Sequence, residues 1–549
     1  MPSELHGPAL ETLQLARLPM TLGGFLTDVA ERHGAREALV FDDPLLNGAT
    51  VRWTYTELAG RARAVARGLL RTGVRPGARV AILMANRPEA VAALFGTALA
   101  GAVAVPLSTF ATRRELGQML ALAEVETLLM QGRMGGRDLS ADVAALDPAP
   151  RRVVVLGPDD ARSGSTSWDA FLADGAEIPD HVVDDAAASV GPDDPGLVLF
   201  SSGTTASAKG MLHRHRAPVL QFWIQARLFG RHPGTRMWTA LPMFWTAGMN
   251  TAMGATLAAG GCWIMQEGFD AGVALGLMAR ERATEPYTLP HQARAMAEHP
   301  DWPTTDLSSL RCVYGKSVFS RHPTVTGDPA WQMPVGWGMS ETCAFVCAHP
   351  SDSSRETLRG SLGRLMPGQS LRVVDPVTGE VLPTGEVGEL AVKGATLMLR
   401  YLGKEPAECF DADGWFRTGD TGSVDADEQV HWSGRRTEMI KTGGANVAPA
   451  EIETQLRAHP GVRVARVLAL PDERLEQIPV LCLEMADGVA PDPAEVTAFL
   501  RGRLASYKVP KKVFFFAPGE IPMTAGGTKV VDEALYPLLY ARLTAQESP

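Results

Sequence analysis

Cysteine is scarce in this 549-residue chain: six residues, at positions 262, 312, 343, 347, 409 and 482, scattered through the sequence. That usage excludes a disulfide framework. Cys343 and Cys347 sit close together, but no nearby His or Cys completes a metal set. Reduced core thiols are the plain reading, and they fit the cytoplasm. An apolar run long enough to cross a membrane is missing too. "GTALAGAVAVPL" falls short of the ~20 residues a spanning helix needs. The opening stretch, "MPSELHGPALETLQLARLPM", mixes charges throughout and lacks a secretory apolar core. Positive charge is in deficit, with 52 Lys and Arg against 62 Asp and Glu, a formal net charge of −10. The electrostatic footprint of a nucleic-acid binder is therefore absent. No internal repeat or long low-complexity tract interrupts the chain.

What is present is an ordinary globular composition, 45% hydrophobic and 21% charged, in a chain long enough for several parts. In "YTELAGRARAVARGLLRTG", Leu58, Val65 and Leu69 share one helical face and a glycine stops the pattern. "RVAILM" then reads as a buried strand, and "PEAVAALFGTALAGAVAVPLS" as helix, glycine, strand. The alternation recurs through "TLLM", "RRVVVLG" and "GLVLFSS", which predicts an α/β fold with a largely parallel sheet. Between Gly132 and Gly196 the chain is richer in Asp, Pro, Gly and Ala and reads as a surface excursion around one strand. From Leu371, Pro-Thr-Gly and Thr-Gly-Glu turns punctuate "LRVVDPVTGEVLPTGEVGELAVKG", a pattern of antiparallel β. The last stretch predicts a small α+β unit: helices in "AEIETQLRAHP" and "PAEVTAFLRGRLASYKVP", strands in "RVARVLAL", "VLCLEM" and "KKVFFFA". The division is a large domain over 1–433, a hinge at 434–438 and a small domain over 439–549.

The segment "LVLFSSGTTASAKGMLHRHR", Leu197 to Arg216, packs hydroxyls, small residues and one lysine between an apolar strand and a predicted helix with Leu220, Trp223, Ile224 and Leu228 on one face. Small residues let a backbone approach a ligand closely; hydroxyls and exposed N–H groups offer donors to phosphate oxygens. The spacing is not that of a Walker P-loop, because Ala208 holds the second glycine position and the order is Lys209-Gly210. Phosphate cradling and a polar surface turn both remain readings of this loop alone.

The loop resembles the Ser/Thr-Gly-Thr-Thr-Gly-x-Pro-Lys-Gly signature of the adenylate-forming superfamily, which includes acyl-CoA synthetases, aryl-CoA ligases and luciferases. "LPMFWTAGM", "GWGMSET", "WFRTGD", "GRRTEMIKTGGANVAPAEIE" and "ASYKVPKKV" resemble further signatures in the same order, over roughly residues 22 to 536. The resemblance implies a multi-subdomain α/β large domain with a mobile α+β C-terminal domain. It implies a ligase that joins a carboxylic acid to AMP, releasing pyrophosphate, and passes the acyl group to a thiol. ATP, Mg²⁺ and CoA are the implied cofactors and substrates, and a monomer or homodimer the implied assembly.

By the same resemblance, Ser201, Ser202, Gly203, Thr204, Thr205 and Lys209 cradle phosphates. Glu341 holds Mg²⁺, and Ser340 bonds near the α-phosphate. Trp337 stacks on adenine, with Gly338 and the Gly315-Lys316-Ser317 stretch beside it. Asp420 takes the ribose hydroxyls and Arg435 joins it. Lys529 reaches the substrate carboxylate. Phe244, Trp245, Gly248 and Met249 form the acyl gate and pocket. Lys441, Gly443 and Gly444 form the thiol-side loop, and Thr437 is the hinge residue. Aromatic bulk at Trp245, Phe244, Trp223 and Met249 implies a bulky or medium-to-long apolar acid.

Four departures qualify this. Ala206 and Ala208 replace glycine and proline. Thr437 replaces the usual Asp or Lys and its β-branch stiffens the hinge. Lys529 falls one place later than in relatives, behind Thr528. Lys316 puts a charge where small residues are usual, where it could read a polar group on the acid. Alternatives follow: an enzyme of one half-reaction with a partner, an amide-forming ligase, or a non-catalytic adenylate-binding regulator.

Overall fold

A computed structural model describes residues 3–13, 15–157, 164–201, 209–354, 356–358, 360–435, 439–486, 488–490, 492–523 and 530–547. The α/β expectation holds. An eight-stranded sheet runs in the order Thr166–Ser167, Arg152–Leu156, Thr127–Gln131, Arg79–Leu83, Val103–Pro106, Pro195–Ser201, Lys209–Arg214, Arg400–Tyr401. It is parallel up to Pro195–Ser201 and antiparallel beyond. A second sheet of five strands is parallel across Glu285–Pro286, Arg236–Thr239, Cys262–Met265 and Glu37–Asp43. The expected antiparallel region is a third sheet, Glu4–His6, Gln369–Val374, Gly388–Gly394, Phe416–Val424 and Val430–Arg435.

Helices fill the space between sheets. The helix Tyr55–Arg71 starts at a Thr54 capping box with Glu57 and buries Leu58, Val65 and Leu69, the predicted face. Beside it, Pro88–Leu99 is buried all round. The helix Arg216–Leu228 departs from expectation: it buries nearly every side chain, including Gln221 and Gln225, and not one face. The two glutamines bond each other at 3.0 Å, and Gln221 donates to the Phe345 carbonyl at 2.8 Å, so these two buried amides are satisfied. The Gly132–Gly196 stretch also holds more than one strand: helices Leu139–Ala144, Trp168–Gly175 and Asp180–Ala188 lie within it.

The C-terminal domain is separate. Its sheet, built on Val462–Asp472 and Glu476–Met485, shares no strand with the others. One face packs on the helices Pro449–Leu456 and Pro493–Arg501 through Ile452, Leu456, Val496 and Leu500. The opposite face packs on Ile521, Val530 and the helix Asp532–Glu547 through Leu535 and Leu539.

Candidate active site

The strands on either side of the phosphate-loop candidate pair with each other. Pro195–Ser201 and Lys209–Arg214 pair antiparallel, with Ser201 opposite Lys209. A strand therefore stands between the loop and the following helix, where sequence reading had none. Ser202, Gly203, Thr204 and Thr205 lie outside the described residues, as do Thr437 and Lys529; the side chains of Ser201 and Arg435 do too. Lys209 is placed. Its Nζ lies 5.4 Å from the ring centroid of Tyr401, and the Tyr401 hydroxyl donates to Glu341 Oε1 at 2.7 Å. Tyr401 thus joins the two charges that the sequence could only list apart. It reaches them because the short strand Arg400–Tyr401 pairs with Met211 and Leu212, a contact between distant segments that leaves no local signal.

Ser340 and Glu341 occupy a tight turn, Ser340–Thr342, between Val335–Met339 and Ala344–His349. The turn is strained: Cys343 has φ 60° and Ala344 φ 147°. Gly338 permits it, since a Cβ there would lie 1.8 Å from the Ala344 carbonyl oxygen. Thr342 Oγ1 meets the Ala344 carbonyl at 2.8 Å, and Asn250 Nδ2 donates to the Cys343 carbonyl. Strain held by surrounding bonds is a mark of functional turns. His213 is buried in the strand beside the Ser340 backbone, and His215 is buried just past the strand end farthest from Lys209, where it accepts from the Leu22 N–H at 3.4 Å. Burial holds both pKa values down at about 4, with the Ser340 backbone pulling weakly the other way on His213.

Trp337 Nε1 donates to Asp420 Oδ2 at 3.0 Å, with both residues buried. The ring expected to stack and the carboxylate expected to bind sugar hydroxyls therefore form one unit. Tyrosine has no N–H at this place; the indole supplies it. Asp420 lies on Phe416–Val424 opposite Arg435. Its neighbour Gly419 donates to Glu389 Oε1 at 3.0 Å, and Glu389 is paired with Arg417.

Lys209, Gly338, Ser340, Glu341, Tyr401 and Asp420 all line one cavity of about 850 Å³. Phe244 and Trp245 form a wall of it, with their ring centroids 6.0 Å apart and Phe110 edge-on to both. The same wall borders a second cavity of about 600 Å³ that includes Leu289, His291 and Gly443. Among the described residues, no group of three or more His, Cys, Asp or Glu is placed to hold a metal ion.

The sequence matches the AMP-binding enzyme family over residues 26–402 and the AMP-binding enzyme C-terminal domain over 451–528. The chain belongs to the AMP-binding enzyme family. An indoleacetate–CoA ligase of Aromatoleum aromaticum is 33% identical over 502 residues, 90% of this chain and 94% of the relative. A feruloyl-CoA synthase of an Amycolatopsis species is 34% identical over 480 residues, 86% and 91%. Among solved structures, the amide bond synthetase McbA of Marinactinospora thermotolerans superposes with a TM-score of 0.76 at 28% identity, covering 94% of this chain and 99% of that one.

Several residues of this AMP-binding enzyme stand elsewhere than expected. Gly315 and Lys316 are exposed and, with Ser317, line neither cavity. Ser317 accepts from the Phe319 N–H as a helix cap, which sends Phe319 into the core and Lys316 to solvent. Lys316 is therefore not placed to read the acid. Met249 is fully buried in the main core, and Gly248 packs so closely on Pro242 that a Cβ would lie 2.0 Å from its carbonyl oxygen. Both shape the turn that holds Trp245 and do not line the cavities. Lys441 is exposed, its Nζ 5.5 Å from the Trp432 ring centroid, and it too lines neither cavity.

Gly443 and Gly444 do reach the site. Gly443 has φ 56° and borders the second cavity; Gly444 has φ 81° and borders the first. A Cβ on Gly444 would lie 2.4 Å from Leu289 Cδ2, so glycine is needed for both torsion and approach. Phe110, Tyr507 and Lys508 also line the cavities, and sequence reading missed all three.

Proposed function

We propose that this enzyme activates a bulky apolar carboxylic acid, of the aryl or medium-to-long-chain class, as its acyl-adenylate and then forms the CoA thioester. The supporting observation is the convergence of Lys209, Ser340, Glu341 and Asp420, from three separate elements, on one cavity. ATP is the first substrate. The segment from Ser201 through Thr205, with Lys209, receives the β- and γ-phosphates. Asp420 takes the ribose hydroxyls, positioned by Trp337 and joined by Arg435. Glu341 fits Mg²⁺: a single carboxylate bordering a cavity suits a cation that keeps waters and phosphate oxygens as its other ligands. The ion would neutralise charge on the departing pyrophosphate. A carboxylate oxygen of the acid attacks the α-phosphorus and pyrophosphate leaves. The CoA thiol then attacks the acyl carbon, loses its proton, and AMP leaves.

The two steps need different surroundings: closure against water for the first, an entrance for the second. The present orientation of the C-terminal domain suits the second, with Gly443 and Gly444 at the cavities. Met523 and Val530, which flank the stretch containing Lys529, pair with each other on the far face of the small sheet. We place the swing between the two states at 434–438, with Lys529 brought in for adenylation. The indoleacetate and feruloyl names of two relatives, and the aromatic wall of Phe110, Phe244 and Trp245, support an aryl acid. Free cysteines at all six positions suit a cytosolic enzyme.

The likeness to an amide bond synthetase supports a second reading, in which an amine replaces the thiol. The test incubates protein, Mg²⁺-ATP and a panel of aryl and alkyl acids, with and without CoA or an amine, under mass spectrometry. Acyl-AMP followed by acyl-CoA is the expected result. Acyl-AMP that ignores CoA and yields amide supports the second reading. No adenylate from any acid removes the first half of the proposal.

A further inference from the structure

The C-terminal domain docks on the large domain through a buried charge cluster that neither chemical step uses. Lys508, at the end of the turn Ser506–Lys508, places Nζ 2.9 Å from Glu115 Oε1 and 2.8 Å from Glu451 Oε1. Glu115 belongs to the large-domain helix Arg113–Leu122, whereas Glu451 belongs to the small-domain helix Pro449–Leu456. The three side chains are 8, 12 and 6% exposed for Lys508, Glu115 and Glu451. Beside them Arg114 donates to Gln455 Oε1, and Tyr507 meets Phe110 edge-on under the Phe244–Trp245 wall. The cluster is therefore continuous with the partition between the two cavities.

Two carboxyls share one ammonium in a buried place, burial pushes the Glu451 carboxyl up against the pull of Lys508, and Glu451 Oε2 has no hydrogen-bond partner among the described residues. Burial of such a group is a poor source of stability and is better explained by the geometry it enforces. The Lys508–Glu451 half lies within the small domain and moves with it. The Lys508–Glu115 half spans the two domains, and it stands here together with the close approach of Gly443 to His291 and of Gly444 to Leu289.

Resting on the acyl-CoA ligase reading, we propose that Lys508 is a positioning residue for the thioester-forming step: its ammonium bridges Glu115 and Glu451 and so holds the small domain where the Gly443–Gly444 loop meets the acyl-adenylate. Adenylate formation, in the other orientation, does not depend on the bridge. Glu115 has a second duty, which makes it a useful probe. Its Oε2 accepts from the Thr112 N–H at 2.8 Å as a capping box. Glutamine can keep that cap with its one oxygen, and it then presents an amide N–H to Lys508 in place of the accepting Oε1, removing both the charge and the acceptor of the bridge.

The experiment measures each half-reaction in wild type, Lys508→Ala, Lys508→Arg and Glu115→Gln. The first half is acid-dependent pyrophosphate release. The second is transfer to CoA from supplied feruloyl-AMP and indoleacetyl-AMP. Lys508→Ala and Glu115→Gln should slow transfer about tenfold or more, as loss of one partner from a buried pair implies, and leave pyrophosphate release within about twofold. Lys508→Arg should restore transfer. Equal losses in both halves, or transfer unchanged in Glu115→Gln, overturn the proposal. A wild-type enzyme inactive in both halves overturns the ligase reading beneath it.

Discussion

Acid should destabilise the sheet that carries Lys209, because two histidines, one in the strand Lys209–Arg214 and one directly after it, are buried uncharged. In the unfolded chain each titrates near 6.5, and in the fold near 4. Above pH 6.5 both states are neutral and the full stability is present. As pH falls below 6.5 the unfolded chain takes up protons that the folded one refuses, so stability drops until pH nears 4. At pH 5 stability is lower than at neutral pH by about 2 kcal/mol per histidine, or about 4 kcal/mol for both. That is a large share of the ~5–15 kcal/mol a domain has in total. His213 sits in the strand that begins at Lys209, with the Ser340 backbone beside it, and His215 follows directly. Loss of adenylate formation should accompany the loss of stability. The assay is urea unfolding followed by tryptophan fluorescence at pH 7.5, 6 and 5, in wild type and in His213→Leu. The variant should lose about half of the pH-dependent difference attributable to the pair. An identical slope in His213→Leu, or a wild-type midpoint flat from pH 7.5 to 5, refutes the reasoning.

Trp337→Phe keeps an aromatic ring and removes the N–H that Asp420 Oδ2 accepts; loss of a hydrogen bond to a charged group should cost about 1.5–3 kcal/mol, read as a roughly ten- to hundredfold fall in kcat/KM for ATP. Gly444→Ala forces alanine to φ 81° and toward Leu289, a strain of about 1–3 kcal/mol. It should slow transfer to CoA more than pyrophosphate release, measured as separate half-reactions. Chelation of Mg²⁺ should abolish pyrophosphate release and leave transfer from supplied acyl-AMP intact; Tyr401→Phe, which frees Glu341 of its hydroxyl donor, should shift the Mg²⁺ requirement of the first half alone.

Much of the architecture was legible locally. The helix Tyr55–Arg71, the strands Arg79–Leu83 and Val103–Pro106, and the antiparallel sheet around Phe416–Val424 follow from periodicity and turn residues. The site was legible where short motifs hold the chemistry: Ser340-Glu341, Asp420, Lys209 and the Gly443-Gly444 pair all reach the cavities. What sequence could not supply is long-range. Tyr401 enters through a short strand paired to a distant one, and Lys508 through a contact between domains. The bond between Trp337 and Asp420 joins two motifs whose separation along the chain hides their contact. Lys316 and Lys441 fell the other way, because side-chain direction is set by neighbours such as Phe319 and Trp432 and not by motif position.

Attack of the acid oxygen on the α-phosphorus of ATP, at the cavity lined by Lys209, Glu341 and Asp420, is the step on which the proposed function rests. Its most direct test uses an acid labelled with ¹⁸O in the carboxylate, turned over with Mg²⁺-ATP and CoA, with the nucleotide product analysed by mass spectrometry. The account predicts AMP carrying one labelled oxygen, with unlabelled pyrophosphate. Unlabelled AMP, or ADP with the label in inorganic phosphate, would contradict it.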